Sequence, residues 1–588
     1  MGFGVDSRLE SDRVSPSGSR LAGISRVGVL PSTTPGRRHP TLSLPMTRLD
    51  RFTAADDEPD ARPLGLTLLA GAVAASMILP LTWLLFEATR VDPTRARELL
   101  VRPATIETVL NSLLLMGGVT LFSVGIGVTL AWLTVQTDLP FRRFWSVVVA
   151  LPLVVPSYIG AFTFVSAFGP RGEFQSILQP LGVERLPEIY GLPGSILVIT
   201  LYTYPYVYLT ARAGLLSFDT TLLEAARSLN HGRWAAFRKV TLPHVRPAVA
   251  AGALLSALYA VSDFGTPAIM RLSVFTQQIF VEFRSFNQDY ASLLSLQLLA
   301  IVLVVLALES RIQSGDTVHG DGAGSEQSTG PLIELGVWRW PATLLPAAVT
   351  GLALLVPIWI LGLWLVTADL AARPELALRL EYVTNSVVVA GAAALLAVLA
   401  ALPVAYFAAR DDSVLSWLFE RTTYVGFAVP GIVLALALVF FATGYETADI
   451  PFAPALYQTL PLLVFAYVVR FMPQAVGSIR TSTLQVDPKL VEAARSLGTS
   501  PVSAFRKITL PLVTPGIVAG AALVFLTTMK ELPATLILRP TGFETLVTIV
   551  WRAQEGAFFQ YAVIPSVLLL AVSGLSMIVI LRQGRGGL

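Results

Sequence analysis

Cysteine is absent from this 588-residue chain, which excludes disulfide bonds, cysteine-ligated metal sites and thiol catalysis. Charge is also scarce. Only 14% of the residues are charged and 54% are hydrophobic, whereas a soluble globular protein carries about 25% charged residues. The chain contains no Gly-x-x-x-x-Gly-Lys-[Ser/Thr] phosphate loop. The composition therefore predicts a membrane protein that does not hydrolyse ATP itself.

Long apolar stretches predict an all-α polytopic fold, because a helix needs about 20 residues to cross the hydrocarbon core of a bilayer. We expect about 12 transmembrane helices, as two halves of six related by a pseudo-two-fold axis. The predicted spans lie near 65–88, 108–135, 144–168, 193–215, 248–270, 288–309, 339–367, 383–407, 422–442, 457–478, 516–538 and 562–582.

The polar segments divide the chain into domains. Residues 1–62 are rich in Arg, Ser and Pro without apolar periodicity, which predicts a disordered cytoplasmic tail. Residues 63–309 form the first predicted half and 339–588 the second. Between them, 310–338 has the Gly, Ser and Asp content of a flexible cytoplasmic linker.

An internal repeat relates the two halves. The segment 224–252 matches 492–520 at 17 of 29 positions without a gap. The dipeptide Asn-Ser begins the second span of each half, at 111–112 and 385–386, and Pro156 and Pro430 each interrupt a third span. A parallel duplication of this kind is typical of transporters whose halves are related by an axis along the membrane normal.

Basic residues set the expected topology. Both repeat segments and the C-terminal end are rich in Arg and Lys, and an even number of spans places them on one side with the N-terminus. By the positive-inside rule that side is cytoplasmic. The arginines at 90, 95, 97 and 102 argue the other way, but the parity of the two repeats outweighs them.

Each repeat segment predicts a helix, a turn and a second short helix. Residues 222–229 and 490–497 contain good helix formers. Asn230 and Gly498 then fall at equivalent places, and both residue types tolerate the left-handed conformation that ends a helix. Pro243 and Pro511 are expected to stop the second helix. A loop that only fixes topology would need a few basic residues, not 17 shared identities.

The pattern Glu-Ala-Ala, three residues, Gly, then apolar-x-x-Pro resembles the cytoplasmic EAA loop of ATP-binding-cassette importer permeases. The second copy matches fully, and the first departs only by Asn230. The resemblance covers nearly the whole chain as two fused permease halves, with EAA loops at 216–247 and 484–515. It implies ATPase-coupling roles for Glu224, Ala225, Ala226, Asn230, Arg238, Lys239, Glu492, Ala493, Ala494, Gly498, Arg506 and Lys507.

The resemblance also implies the partners. These are two ATP-binding-cassette ATPase subunits, which would hold the ATP and Mg, an extracytoplasmic solute-binding protein docking near 169–192 and 443–456, and membrane lipid. No nucleic acid and no cofactor on this chain are expected. The protein would reside in the inner or plasma membrane with both termini in the cytoplasm, importing its solute by alternating access.

Two acids fall within predicted spans. Asp263 and Glu531 are equivalent at the repeat offset, and Lys530 is a candidate partner for either acid. An ionisable residue inside a span costs about 2.5–3.5 kcal/mol on insertion scales unless it meets a partner or a wet cavity. Gly265, Pro267 and Pro533 allow the helices to break nearby. We therefore place Asp263, Lys530 and Glu531 in a translocation pathway or gate. A salt bridge that only fixes packing is an equal alternative.

The phrases SDFGTP and KELPATLILRP resemble permeases of the ferric-iron importer group, which implies iron(III) as the cargo. Thiamine, polyamines or an oxyanion remain alternatives within the same class. A secondary transporter driven by an ion gradient would not need the paired hairpins, and a scaffold without transport would leave the buried acids unexplained. No cluster of Tyr, His and carboxylate predicts a metal site, since the histidines at 39, 231, 244 and 319 fall in cytoplasmic segments. Aromatic residues near span ends are interpreted as interfacial anchors, namely Trp145, Tyr158, Tyr202, Tyr204, Tyr206 and Tyr208.

Overall fold

The structure, a computed structural model, describes residues 64–169, 172–182, 189–217, 242–313, 333–367, 378–411, 413–447 and 455–584. In these ranges all regular secondary structure is helical, apart from one isolated β-bridge between Thr137 and Ile333. The predicted N-terminal tail lies outside the described residues. The all-helical fold class is confirmed.

In the described part of the first half there are eleven helices. They are α1 (Leu64–Thr89), α2 (Pro93–Val101), α3 (Pro103–Gln136), α4 (Arg142–Val148), α5 (Ser157–Phe168), α6 (Glu173–Leu178), α7 (Gly191–Leu216), α8 (Leu242–Ser262), α9 (Gly265–Ile269), α10 (Phe275–Arg284) and α11 (Gln288–Gln313).

The second half repeats this order. Its helices are α12 (Leu344–Thr350), α13 (Val356–Thr367), α14 (Leu380–Arg410), α15 (Val414–Ala428), α16 (Gly431–Thr447), α17 (Leu460–Leu484), α18 (Pro488–Ser496), α19 (Pro501–Ala504), α20 (Leu510–Met529), α21 (Pro533–Leu538), α22 (Leu546–Glu555) and α23 (Val563–Gly584). A π-helical turn, Gly351–Leu355, joins α12 to α13.

The span count is slightly lower than the predicted twelve. Within the described residues, nine helices are long and apolar enough to cross a membrane, or eleven if two bent pairs each count as one span. The twelfth predicted span, near 562–582, corresponds to α23, whose described apolar part is shorter than the spans counted.

Both predicted proline interruptions are present. The bends lie before α5, at Pro156, and before α16, at Pro430, and measure 93° and 104°. The preceding residues, Val155 and Val429, adopt extended backbone conformations. Steric contact with the proline ring disfavours helical geometry at these positions, so each helix ends there.

Two other predicted spans end earlier than expected. The helix of 248–270 ends at Ser262, and the helix of 516–538 ends at Met529. After the breaks, the short helices α9 and α21 begin at Gly265 and Pro533. Glycine and proline at these positions favour a break over helix continuation. Asp263 and Glu531 therefore lie at helix breaks instead of in continuous spans.

The same three-helix packing recurs in each half. Helices α3, α7 and α8 pack together in the first half, as α14, α17 and α20 do in the second. The first long span of each half instead packs against the other half. Helix α1 packs against α16, with the rings of Trp83 and Phe441 at 5.6 Å, and α13 packs against α5, with Phe162 and Trp364 stacked at 6.1 Å. This exchange ties the halves together at their periphery.

The repeated Asn-Ser dipeptides hold the amphipathic helices α10 and α22. Asn111 donates to the carbonyl of Ser273 at 3.1 Å, and Asn385 donates to the carbonyl of Glu544 at 2.9 Å. The hydroxyl of Ser112 accepts from the N–H of Phe275, and that of Ser386 from the N–H of Leu546. Each dipeptide thus satisfies backbone groups at a helix start that has no intrahelical partner.

Replacing Ser386 by Ala is expected to destabilise the protein more than replacing its neighbour Thr384. The first change leaves the buried N–H of Leu546 without its acceptor, which costs about 1–3 kcal/mol. Thr384 is exposed and bonds only to the carbonyl of Glu381 in its own helix. Thermal unfolding of the purified protein in detergent measures the difference. Equal midpoints for the two variants would contradict the capping role.

The end of the predicted linker contacts the first half. Ile333 bridges the end of α3, accepting from the N–H of Asp138 at 3.2 Å and donating to the carbonyl of Gln136 at 2.8 Å. The carboxylate of Asp138 accepts from the N–H of Leu335. Residues 314–332 lie outside the described residues, while α11 extends to Gln313.

Candidate functional site

The second repeat segment forms the predicted hairpin. Asp487 caps α18 by accepting from the N–H of Lys489 at 2.9 Å, and Gly498 ends the turn after the helix with φ +84°. Ser500 then caps α19 through the N–H of Ser503. Proline follows both caps, at 488 and 501, where a missing N–H costs nothing.

The hairpin is largely exposed. Glu492, Ala493, Gly498, Arg506 and Lys507 are exposed, and Ala494 is half-buried. Three large apolar side chains are exposed with them, those of Leu490, Leu497 and Val502. Isolated apolar side chains are common on surfaces, but a group of them on one small element marks an interaction surface. Glu224, Ala225, Ala226, Asn230, Arg238 and Lys239 of the first copy lie outside the described residues.

The prediction that Pro511 stops the hairpin is wrong. A continuous helical stretch runs from Pro501 to Met529, with a π-helical turn, Phe505–Thr509, just before Pro511. Proline has no backbone N–H, so one intrahelical hydrogen bond is missing at this point. A π-helical turn allows the helix to continue past the missing bond. The edge-to-face contact of Phe505 with Tyr406, at 5.2 Å, anchors this turn on α14.

The far end of this helix leads to an internal cavity of about 230 Å³ between the halves. Several pairs of equivalent positions line the cavity, among them Tyr202 with Arg470 and Asp263 with Glu531. Its polar and charged lining residues include Ser157, Tyr158, Tyr202, Tyr206, Tyr259 and Asp263 from the first half and Arg470, Gln474, Thr527, Lys530 and Glu531 from the second. All three predicted pathway residues, Asp263, Lys530 and Glu531, line this one space.

A buried ion pair occupies the second-half wall. Arg470 contacts Glu531 at 3.2 Å, with only 15% and 7% of their side chains exposed. Arg470 also donates to the carbonyl of Val429 at 3.0 Å, and Glu531 accepts from the N–H of Ala534. Gly431 lies against both side chains, since an added Cβ would stand 2.4 Å from Glu531 and 2.7 Å from Arg470. Such a pair is stable only with hydrogen bonds satisfying both ions.

The expectation that Lys530 pairs with one of the acids is wrong. Its ammonium group donates to the carbonyl of Leu153 at 3.0 Å, in the first half. In the part of the chain that the structure describes, no carboxylate lies within 4.0 Å of it. Arg470, to which the sequence assigned no role, is the partner of Glu531. It is the eleventh residue of the 25-residue helix α17, a depth at which an arginine requires a partner.

The two acids differ in their surroundings. One oxygen of Asp263 accepts from the N–H groups of Gly265 and Thr266, at 3.1 and 3.4 Å. The other oxygen is buried and has no hydrogen-bond partner in the described ranges. At the position equivalent to Arg470, the first half carries Tyr202. The first-half acid therefore lacks the counter-ion that the second-half acid has.

The interpretation of the tyrosines as interfacial anchors is wrong for most of them. Tyr158, Tyr202 and Tyr206 line the cavity. Tyr204 and Tyr208 are fully buried, and their hydroxyls donate to the carbonyls of Val149 and Ser146. The sequence of one span does not show how α7 packs between its neighbours. Buried tyrosines on α7 therefore give the same sequence pattern as tyrosines at a membrane surface.

An aromatic cluster backs one wall of the cavity. The ring of Phe264 lies 4.9 Å from Phe280 of α10 and 4.9 Å from Trp551 of α22. Phe264 itself lines the cavity. The cluster therefore joins the amphipathic helices of the two halves beside the breaks that carry the acids.

Comparison with known proteins matches both halves of the chain to one protein family. The family described as "Binding-protein-dependent transport system inner membrane component" matches residues 123–314 and 401–583. The "Fe(3+)-transport system permease protein FbpB 2" of Haemophilus influenzae is 32% identical over 522 residues, which cover 88% of this chain and 98% of that protein.

Shorter relatives match part of the chain. The "Sulfate transport system permease protein CysT" of Escherichia coli is 25% identical over 257 residues, covering 43% of this chain and 91% of that protein. The "Molybdenum transport system permease protein ModB" of Escherichia coli is 30% identical over 165 residues, covering 27% and 69%. A permease that matches less than half of this chain agrees with the internal duplication.

Proposed function

Since the chain belongs to the family of binding-protein-dependent transport system inner membrane components, we propose that it is the permease through which iron(III) enters the cell. As a member of that family it is a multi-pass inner membrane subunit of an ATP-binding-cassette importer and is not itself catalytic. A partner ATPase handles ATP, and a binding protein delivers the solute.

One observation carries the proposal of iron as cargo. The ferric permease is 32% identical over nearly the full length of both proteins, and two further ferric permeases match 77% and 83% of this chain. The carboxylate of Asp263 beside the cavity supports it, because hard cations prefer oxygen ligands.

The exposed hairpin is the proposed contact with the ATPase. Its short helix α18 has no buried residue within this chain and exposes Leu490 and Leu497. We assign the same role to the first copy, so that two ATPase subunits bind, one on each hairpin, on the cytoplasmic side. Both termini then lie in the cytoplasm.

The structure suggests how ATPase movement reaches the solute. The hairpin is continuous with a helix that ends at Met529, directly before Lys530 and Glu531. Movement of the hairpin along this helix would shift one wall of the cavity against the other. The contact of Phe264 with Trp551 joins the two halves and would part as the cavity opens.

An oxyanion is the second candidate cargo. The ammonium of Lys530 lines the cavity and is bound only to a backbone carbonyl in the described ranges, and the relatives include sulfate and molybdenum permeases. A lone ammonium could bind an anion as a point charge.

Uptake by the reconstituted complex tests the cargo. Proteoliposomes with the permease, its ATPase and its binding protein are expected to accumulate iron(III) only when ATP is supplied, and iron-loaded binding protein is expected to stimulate ATP hydrolysis. Liposomes without the ATPase are the control. Stimulation by sulfate or molybdate but not by iron would contradict the proposal, and uptake by the lone permease in an ion gradient would indicate a secondary transporter.

A further inference from the structure

We propose that the first-half wall of the cavity is a transit site for the ferric ion, with the carboxylate of Asp263 and the phenol oxygen of Tyr158 as its ligands. This inference rests on iron(III) being the cargo, and it adds a location and two named oxygen donors.

The difference between the two acids is the first support. Equivalent positions in a duplicated protein carry Asp263 and Glu531, but Glu531 is bound to Arg470 while the first half has Tyr202 in the place of that arginine. The second acid is therefore occupied by a cation of the protein. One oxygen of Asp263 is buried without a hydrogen-bond partner among the described residues. A buried carboxylate oxygen without a partner is costly, so a group that binds there during the transport cycle would remove that cost.

The second support is independent and comes from Tyr158. Its side chain is 5% exposed, and its hydroxyl also has no hydrogen-bond partner in the described part of the chain. Buried tyrosine hydroxyls usually find one. Tyr158 lies in the first turn of α5, after the Pro156 break, and the turn that follows Asp263 packs on it. A Cβ on Gly265 would lie 2.6 Å from the Cβ of Tyr158.

The two unpartnered oxygens thus lie on adjacent segments that line the same cavity. Carboxylate and phenolate are hard oxygen donors of the kind that a trivalent cation prefers over nitrogen or sulfur. On binding, the phenol would release its proton to solvent and coordinate as phenolate. The hydroxyls of Ser157 and Tyr259, which are bonded to each other at 3.0 Å, lie in the same wall.

The site is suited to transit and not to storage. Two buried oxygens of the described cavity wall lack partners, and the ammonium of Lys530 lines the same cavity, where it opposes a cation. Conduction requires binding that is favourable enough for entry and weak enough for release. Lys530 would then speed release, which predicts opposite effects of the two neutralising substitutions, at Asp263 and at Lys530.

Visible spectroscopy of the permease–ATPase complex in nanodiscs tests the site, with Fe(III) supplied as its nitrilotriacetate complex and without the binding protein, which would hold iron itself. The wild-type complex is expected to show a phenolate-to-iron charge-transfer band. Asp263→Asn and Tyr158→Phe are expected to weaken iron binding by at least about tenfold and to lose the band. Lys530→Gln is expected to retain iron more tightly and release it more slowly. Asp263→Asn keeps the oxygen that accepts from Gly265, so its fold is preserved.

Tyr204→Phe is the matched control, because its hydroxyl donates to the carbonyl of Val149 and the residue does not line the cavity. A band that persists in Tyr158→Phe, or iron import at the wild-type rate by both Asp263→Asn and Tyr158→Phe, would overturn the site while leaving iron import intact. A wild-type complex that imports an oxyanion and not iron would overturn the proposed cargo and the site with it, and Lys530→Gln would then abolish transport.

Discussion

A Gly498→Val protein is expected to reach the membrane at the wild-type level and to lose transport almost completely. Gly498 adopts φ +84°, in the left-handed region between α18 and α19. An L-residue there costs about 1–2 kcal/mol, and a β-branched side chain costs more. A cost above about 1.4 kcal/mol reduces the population of the native hairpin geometry at least tenfold.

The open space around Gly498 separates an effect on backbone conformation from an effect on packing. An added Cβ would meet no atom within 4 Å, so the effect of valine is on backbone conformation and not on packing. The exposed hairpin contributes no buried residue from α18 to the core, and insertion should be unaffected. Loss of transport would therefore report the fit of the hairpin to its partner.

The chain supplies its own control for this experiment. The first copy carries Asn230 where the second has Gly498, and asparagine tolerates the left-handed conformation. Gly498→Asn is expected to keep most of the transport activity. Glu492→Lys, which reverses an exposed charge on α18, is expected to behave like Gly498→Val. ATP-driven uptake normalised to the amount of permease in the membrane measures all three. Normal transport by the valine variant would be strong evidence against the coupling role.

The duplication, the breaks and the hairpin are accessible from sequence because each is a local property. Proline disfavours helix continuation locally, so Pro156, Pro430 and Pro533 mark real interruptions, although Pro511 and Pro515 lie within a continuous helix. The repeated Asn-Ser dipeptides are visible in the sequence, but their hydrogen bonds to the starts of α10 and α22 are not.

Contacts between helices were not accessible in the same way. Lys530 was a candidate partner for either acid, but its ammonium instead donates to the carbonyl of Leu153 in the first half. The guanidinium of Arg470 reaches Glu531 from α17 because those helices pack together. Repeat alignment offered a signal, since Arg470 has no charged counterpart in the first half, where Tyr202 stands. The tyrosines lining the cavity likewise depend on how α7 is enclosed.

Removing Arg470 is expected to be the most destabilising single change in the cavity. Arg470→Met would leave the carboxylate of Glu531 buried without its counter-ion, and breaking a buried pair costs about 3–5 kcal/mol. Glu531→Leu would strand the guanidinium in the same way. Both variants should show a clearly lower thermal midpoint in detergent. Gly431→Ala should lower it less, by displacing the pair, whereas Gly391→Ala, which meets no atom within 4 Å, should not.

The double variant Arg470→Met with Glu531→Leu decides what the pair does. Replacing both members of a buried pair by apolar residues is often neutral for stability, so the double variant should be more stable than either single variant. If the pair only fixes the packing of the halves, transport should recover together with the thermal midpoint. If the pair must separate and re-form as the cavity opens, stability should recover and transport should not. We expect the second result, because Glu531 directly follows the end of the helix that runs from the coupling hairpin.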